Sequence, residues 1–152
     1  MLALVSVLLA APVPDHLASA KAPTVRHTGT VERGGYVYLQ FEITNPNVAD
    51  LHYRGYTSDA IDAGPRMREI APLYQVELKQ DKEWKAHNLG WCKTGVGTVT
   101  IRAKTTAIFE ASVPAGEWTE ARIGVVWYTG PDRKTSDTAW GTITRQEATP
   151  KK

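Results

Sequence analysis

"YVYLQFEIT", residues 36–44, is the stretch on which the fold turns. Val37, Leu39, Phe41 and Ile43 alternate with Tyr36, Tyr38, Gln40 and Glu42, and a period of two places each set on its own face of a half-buried strand. The run stops at Asn45-Pro46-Asn47, where a missing backbone donor and turn-forming side chains make the chain turn.

Working outward, the same alternation recurs. "LHYRGY" (51–56) is the next strand, and "LYQVELK" (73–79) sets Tyr74, Val76 and Leu78 against Gln75, Glu77 and Lys79. "QDKE" closes a hairpin turn into "EWKAH" (83–87). "TVTIRA" (98–103) and "TAIFEASV" (106–113) follow, the latter presenting Ala107, Phe109, Ala111 and Val113 on one face. "ARIGVVWYT" (121–129) alternates Ala121, Ile123, Val125 and Trp127 with Arg122, Gly124, Val126 and Tyr128; its second half is apolar on both faces, which predicts a central strand. "TAWGTITR" (138–145) closes the series.

Residues 57–72 show neither period and contain Gly64, Pro65 and Pro72, so they form a long connection with at most a single helical turn around 67–70. Nowhere do ten residues keep a capped helical period. Seven to eight short strands with regular turn signals predict an all-β fold, an antiparallel β-sandwich of immunoglobulin-like architecture.

Residues 1–20 stand apart. "MLALVSVLLAA" is apolar but too short to span a bilayer, and it leads through Pro12 and Pro14 to Ala18 and Ala20 at the positions a signal peptidase requires. No Lys or Arg precedes the run, leaving the terminal amine to supply its positive end. The expected division is a signal peptide over 1–20, a β-sandwich domain over 21–146 and a flexible tail over 147–152, with a secreted or periplasmic location.

Eighteen Lys and Arg against sixteen Asp and Glu give a formal net charge of +2, too small and too scattered to argue for a nucleic-acid or membrane surface. A single cysteine excludes an intrachain disulfide, so stability must come from the core. Beyond the signal no apolar run of transmembrane length occurs.

The chemistry-bearing residues are sparse. His27, His52 and His87 are isolated, with no second ligand at a metal-binding spacing, so neither a metal nor another cofactor is expected. Ser58, Ser112 and Ser136 lack the context of a nucleophile elbow. Cys92, in "LGWCKTGVG" (89–97), reads as a small buried hydrophobe entering a glycine turn; a Cys92–His87 site is the enzymatic alternative. Of five tryptophans, Trp127 shares a face with Ile123 and Val125 and belongs to the core, whereas Trp84, Trp91 and Trp118 fall at turns, where exposed rings could stack on sugars or contact a protein.

"YLQFEITNP", "EWKAHNLGWCKTGVGTVTI" and "ARIGVVWYTG", with a Trp in the closing strand, together resemble small exported bacterial immunoglobulin-like or fibronectin-like sandwich proteins over residues 30–145. The resemblance implies architecture alone, because its motifs are structural and the paired cysteines of antibody domains are missing. The function expected is a non-enzymatic binding or interaction module of the cell envelope, its partner an envelope protein or a glycan. Recognition would fall to loops over 55–72, 86–97 and 129–138, with Arg66, Arg68, Arg133, Trp84, Trp91 and Trp118 as the contact residues. A carbohydrate-binding module using the turn tryptophans is the first alternative, and a small Cys/His enzyme the second.

Overall fold

A computed structural model describes residues 20–33, 36–57, 69–91, 94–114, 118–130 and 136–149. They form ten strands and no helix: β1 (Thr24–Arg33), β2 (Tyr36–Thr44), β3 (Leu51–Tyr56), β4 (Ala71–Pro72), β5 (Tyr74–Gln80), β6 (Glu83–His87), β7 (Val96–Ile101), β8 (Thr106–Ala111), β9 (Glu120–Tyr128) and β10 (Ser136–Thr144). Every pairing is antiparallel. The all-β sandwich class is therefore as expected, with more strands than the seven to eight anticipated. The additions are β1 and the two-residue β4.

One sheet runs β1-β2-β8. The other is built around β9, which pairs with β10 along its whole length on one edge. Its opposite edge is shared, with β5 beside residues 121–125 and β3 beside residues 127–128. β6 and β7 extend this second sheet by pairing with β5 and β3. The central position predicted for β9 from its two apolar faces is what the pairing requires.

Alternation decides what faces inward. Leu39, Phe41 and Ile43 of β2 and Phe109 and Ala111 of β8 are buried against Tyr53 of β3, Val76 and Leu78 of β5 and Ala121, Ile123, Val125 and Trp127 of β9. Phe41 and Phe109 are register partners and stack with centroids 5.5 Å apart, a cross-strand aromatic pair at the centre of the first sheet. At the β5–β6 turn Asp81 and Lys82 both have positive φ, 51° and 72°, the two-residue hairpin geometry whose twist matches the strands it joins.

Two polar features lie inside the apolar packing. Asn45, fully buried, donates through Nδ2 to the carbonyls of Ala49, Ile101 and Arg102 and accepts at Oδ1 from Asn47, tying the β2–β3 turn to the end of β7. Tyr53 and Trp127, register neighbours across β3 and β9, bury a hydroxyl and an indole nitrogen that have no hydrogen-bond partner among the described residues. Burial pushes the Tyr53 hydroxyl pKa well above its ordinary 10.0.

At the C-terminal end Thr144 and Glu147 cap one another reciprocally: the Thr144 backbone N–H donates to the Glu147 carboxylate at 2.8 Å, and the Glu147 N–H donates back to Thr144 Oγ1 at 3.3 Å. Thr30 Oγ1 of β1 donates to the Glu147 carbonyl. The tail boundary expected at residue 147 thus falls inside a hydrogen-bonded turn that reaches residue 149.

Candidate functional site

A short strap joins the two sheets at one edge of the sandwich. Glu69 and Ile70 donate their backbone N–H groups to the Ile108 carbonyl on β8, and Leu73 donates to the Arg54 carbonyl on β3. Between these anchors β4 pairs with residues 55–56 of β3. Gly55 permits this approach, since a Cβ there would lie 2.6 Å from the Ala71 carbonyl oxygen and 2.6 Å from the Tyr53 ring.

Against the strap lies a cleft of about 180 Å³ lined by Tyr38, Tyr56, Tyr74, Trp91, Glu110 and Ser112, with Ile70, Ala71, Pro72 and Ala111. Its lining comes from unlike places: Tyr38 and Glu110 from positions that alternate with core residues on β2 and β8, Tyr74 from a core-facing position of β5, and Trp91 from the connection after β6. Trp91 Nε1 donates to the Tyr74 carbonyl at 2.8 Å, and the two ring planes stand at 88° with centroids 4.7 Å apart. Tyr56 closes on Trp91 at 6.3 Å and 57°. The Tyr74 hydroxyl accepts from the Ser112 N–H at 3.0 Å, which fixes that ring across both sheets. The indole and phenol rings therefore pack edge to face and are held by hydrogen bonds.

Tyr74 and Trp91 also line a second cleft of about 210 Å³, together with Gln75, Glu77, Ala86, His87 and Asn88 among others. His87 is exposed and lines this second cleft, whereas Glu110 and Ser112 line the first. Cys92, its partner in the enzymatic alternative, lies outside the described residues, as do Arg66, Arg68, Arg133 and residues 1–19 of the expected signal peptide. Among the described residues no three His, Cys, Asp or Glu side chains gather as a metal site. No helix among them is long and apolar enough to cross a membrane.

The three tryptophans expected at turns separate. Trp91 lines the cleft. Trp118 is a correction: it is buried to 7% exposure, its Nε1 donating to the Pro114 carbonyl and its ring covered by the Arg145 guanidinium at 4.7 Å. It forms part of the wall of an open basin of about 930 Å³ whose other lining residues are Lys79, Gln80, Asp81, Lys82, Thr119, Glu120 and Arg145, where Lys79 is paired with Glu120 at 2.6 Å. A residue beside a turn is buried when other parts of the chain pack over it, and here the Arg145 side chain, just past β10, does so.

Trp84 is a second correction, lying within β6 and not at a turn. On the outer face of its sheet the Arg122 guanidinium is sandwiched between Trp84 at 4.6 Å and Trp140 at 4.3 Å, and its Nε donates to Glu77 at 2.7 Å. Trp140 rests on Gly124, where a Cβ would come within 2.7 Å of the indole. Each indole turns one face to the guanidinium, so the stack ties β6, β5, β9 and β10 together.

The cleft residues Tyr38, Tyr56, Tyr74, Glu110 and Ser112 carried no signal as a group, because they share neither a motif nor a sequence interval. The one local hint is that Tyr56 and Trp91 border two of the three connections expected to recognise a partner. No protein-family model, no curated protein and no solved structure matches this chain, so its site is defined by its own residues within an all-β antiparallel sandwich.

Proposed function

We propose that this chain is an exported, non-enzymatic binding module of the cell envelope, an immunoglobulin-like sandwich whose recognition site is the aromatic cleft at the strap. One observation carries the proposal: three tyrosines and a tryptophan from four separate segments converge on a single cleft, with two of the rings locked by hydrogen bonds. Ring side chains supply large contact area at little entropic cost, and fixing them beforehand reduces what binding must order. His87 lines the neighbouring cleft and Glu110 and Ser112 line this one, which favours recognition over chemistry here. The Trp84–Arg122–Trp140 stack supports a sugar platform less well, because the arginine occupies the space between its rings.

The test is a chemical-shift survey of the full chain against small probes of several classes: neutral sugars, amines, carboxylates and short peptides. Shifts that cluster on the Trp91 indole N–H and the backbone of Tyr56 and Tyr74 are expected for at least one class. Shifts gathered instead on the Trp118–Arg145 basin, or none at the cleft with any class, would overturn the proposal.

A further inference from the structure

We infer that the outer edge of β6 pairs with the same edge of a second copy of this chain, antiparallel about a two-fold axis through Trp84. The aromatic cleft plays no part in this contact. β6 ends its sheet, with β5 on one side and no strand on the other. The direction of its backbone groups follows from the hairpin. A two-residue turn with positive φ at Asp81 and Lys82 makes Gln80 and Glu83 a hydrogen-bonded pair, and alternation then turns the backbone groups of Lys85 and His87 toward β5 as well. The N–H and C=O groups of Trp84 and Ala86 therefore point away from the sheet, and no backbone hydrogen bond from another part of the described chain reaches them.

No side chain of the strand shields these groups. The Trp84 ring leans inward across β5 and stacks on the Arg122 guanidinium of β9 at 4.6 Å, while Ala86 carries only a methyl group. Glu83, Lys85 and His87 share the face of Val76 and Leu78 on β5, yet all three are exposed, because the three-stranded sheet does not reach beneath β6. An uncovered edge of this kind is a template for another strand.

Charge selects both the occupant and the register. Glu83 and Lys85 flank Trp84, and neither has an ion-pair partner among the described residues. When Trp84 faces Trp84 of the second copy as a hydrogen-bonded pair, Glu83 of each chain stands opposite Lys85 of the other. These are the closely spaced, non-hydrogen-bonded positions, where cross-strand charges interact most strongly. Sliding one strand by two residues, so that Trp84 faces Ala86, would set Lys85 against Lys85 and repel. The run Glu83-Trp84-Lys85 is thus complementary to itself in the register centred on Trp84. The contact is short, so the association is weak and concentration-dependent.

Sedimentation equilibrium of the full chain from about 10 µM to about 1 mM, at low salt, tests this. The average mass is expected to rise with concentration. Lys85→Glu and Glu83→Lys should each weaken association by about tenfold or more, since each turns two attractive pairs into two repulsive ones. Mixing the two variants should restore it, because every facing pair then has opposite charges; circular dichroism confirms that both fold. At high concentration the Trp84 amide proton of the unsubstituted chain should exchange more slowly, whereas that of Lys85, bonded to β5 in either state, should not change.

A chain that stays monomeric over the whole range would overturn the inference. Association that neither substitution weakens, or that the mixture fails to restore, would do the same. A monomer whose Trp84 and Ala86 amides shift only on adding a short extended peptide would make the edge a peptide site and overturn self-pairing. All of these outcomes are read at β6 and leave the test of the cleft, read at Trp91, unaffected.

Discussion

Replacing Asn45 with alanine probes how a fully buried amide holds the turn end of this sandwich. Its Nδ2 lies 2.9, 3.1 and 3.2 Å from the carbonyls of Ala49, Ile101 and Arg102, and its Oδ1 accepts from the Asn47 backbone and side chain at 2.9 and 3.0 Å. Asn47 in turn bonds the backbone of Lys21 in both directions, so the segment before β1, the β2–β3 turn and the β7–β8 connection all meet at this amide. Each net hydrogen bond contributes about 1 kcal/mol, and a buried group left unsatisfied costs roughly 1–3 kcal/mol. The Ile101 carbonyl is the acceptor in the buried bond, whereas those of Ala49 and Arg102 lie nearer solvent.

The sum is a loss of about 3 kcal/mol, a large part of the roughly 5–15 kcal/mol that holds a domain folded. Urea unfolding followed by tryptophan emission should show this as a midpoint lowered by about 1.5 M, for a slope near 2 kcal/mol/M that stays unchanged. Asn45→Asp keeps the shape but turns a donor into an acceptor facing three carbonyl oxygens, and should be at least as damaging at neutral pH. A loss below about 1 kcal/mol for the alanine variant would refute the reasoning, because it would mean that the freed carbonyls find other partners without cost.

Other expectations follow from the same packing. Tyr53→Phe should be neutral or stabilising by up to about 1 kcal/mol, since the hydroxyl it removes is buried without a partner among the described residues; a clear loss in thermal unfolding would show that the hydroxyl is bonded. Arg122→Met should cost about 1–2 kcal/mol by removing the cation between Trp84 and Trp140 and stranding the half-buried Glu77, and a double-mutant cycle with Glu77→Gln should recover part of it. Burial holds the His27 imidazole below its ordinary 6.5, against a backbone hydrogen bond at Gly29 and the Glu147 carboxylate, which both raise it. Protonation then favours the unfolded chain, so stability should be full above pH 6.5 and fall as pH drops below it; His27→Gln should flatten that slope, and an unchanged slope would remove His27 as its source.

Most of the strands were legible because alternation is a local property. β2, β3 and β6 coincide with the runs expected, and the core faces of β5, β8 and β9 are those that period two selects. β1 escaped notice for an equally local reason. Its register shifts between His27 and Gly29, so its inward and outward positions exchange midway, and among its described side chains Val25 alone is buried. Trp118 misled because adjacency to a turn says where the chain reverses and not what folds over the ring.

The sequence by itself determined that the chain forms strands, which side of most of them is apolar, and that its functional chemistry is sparse. All three follow from residue identity and spacing within a few positions. Tertiary structure alone decided that Tyr38, Tyr56, Tyr74 and Trp91 share a cleft, that Arg122 lies between two indoles and that Asn45 is buried. Those outcomes depend on which strands become neighbours and in what register. That choice is made by the joint packing of two sheets, in which residues 53 positions apart, Tyr38 and Trp91, come to line one cavity.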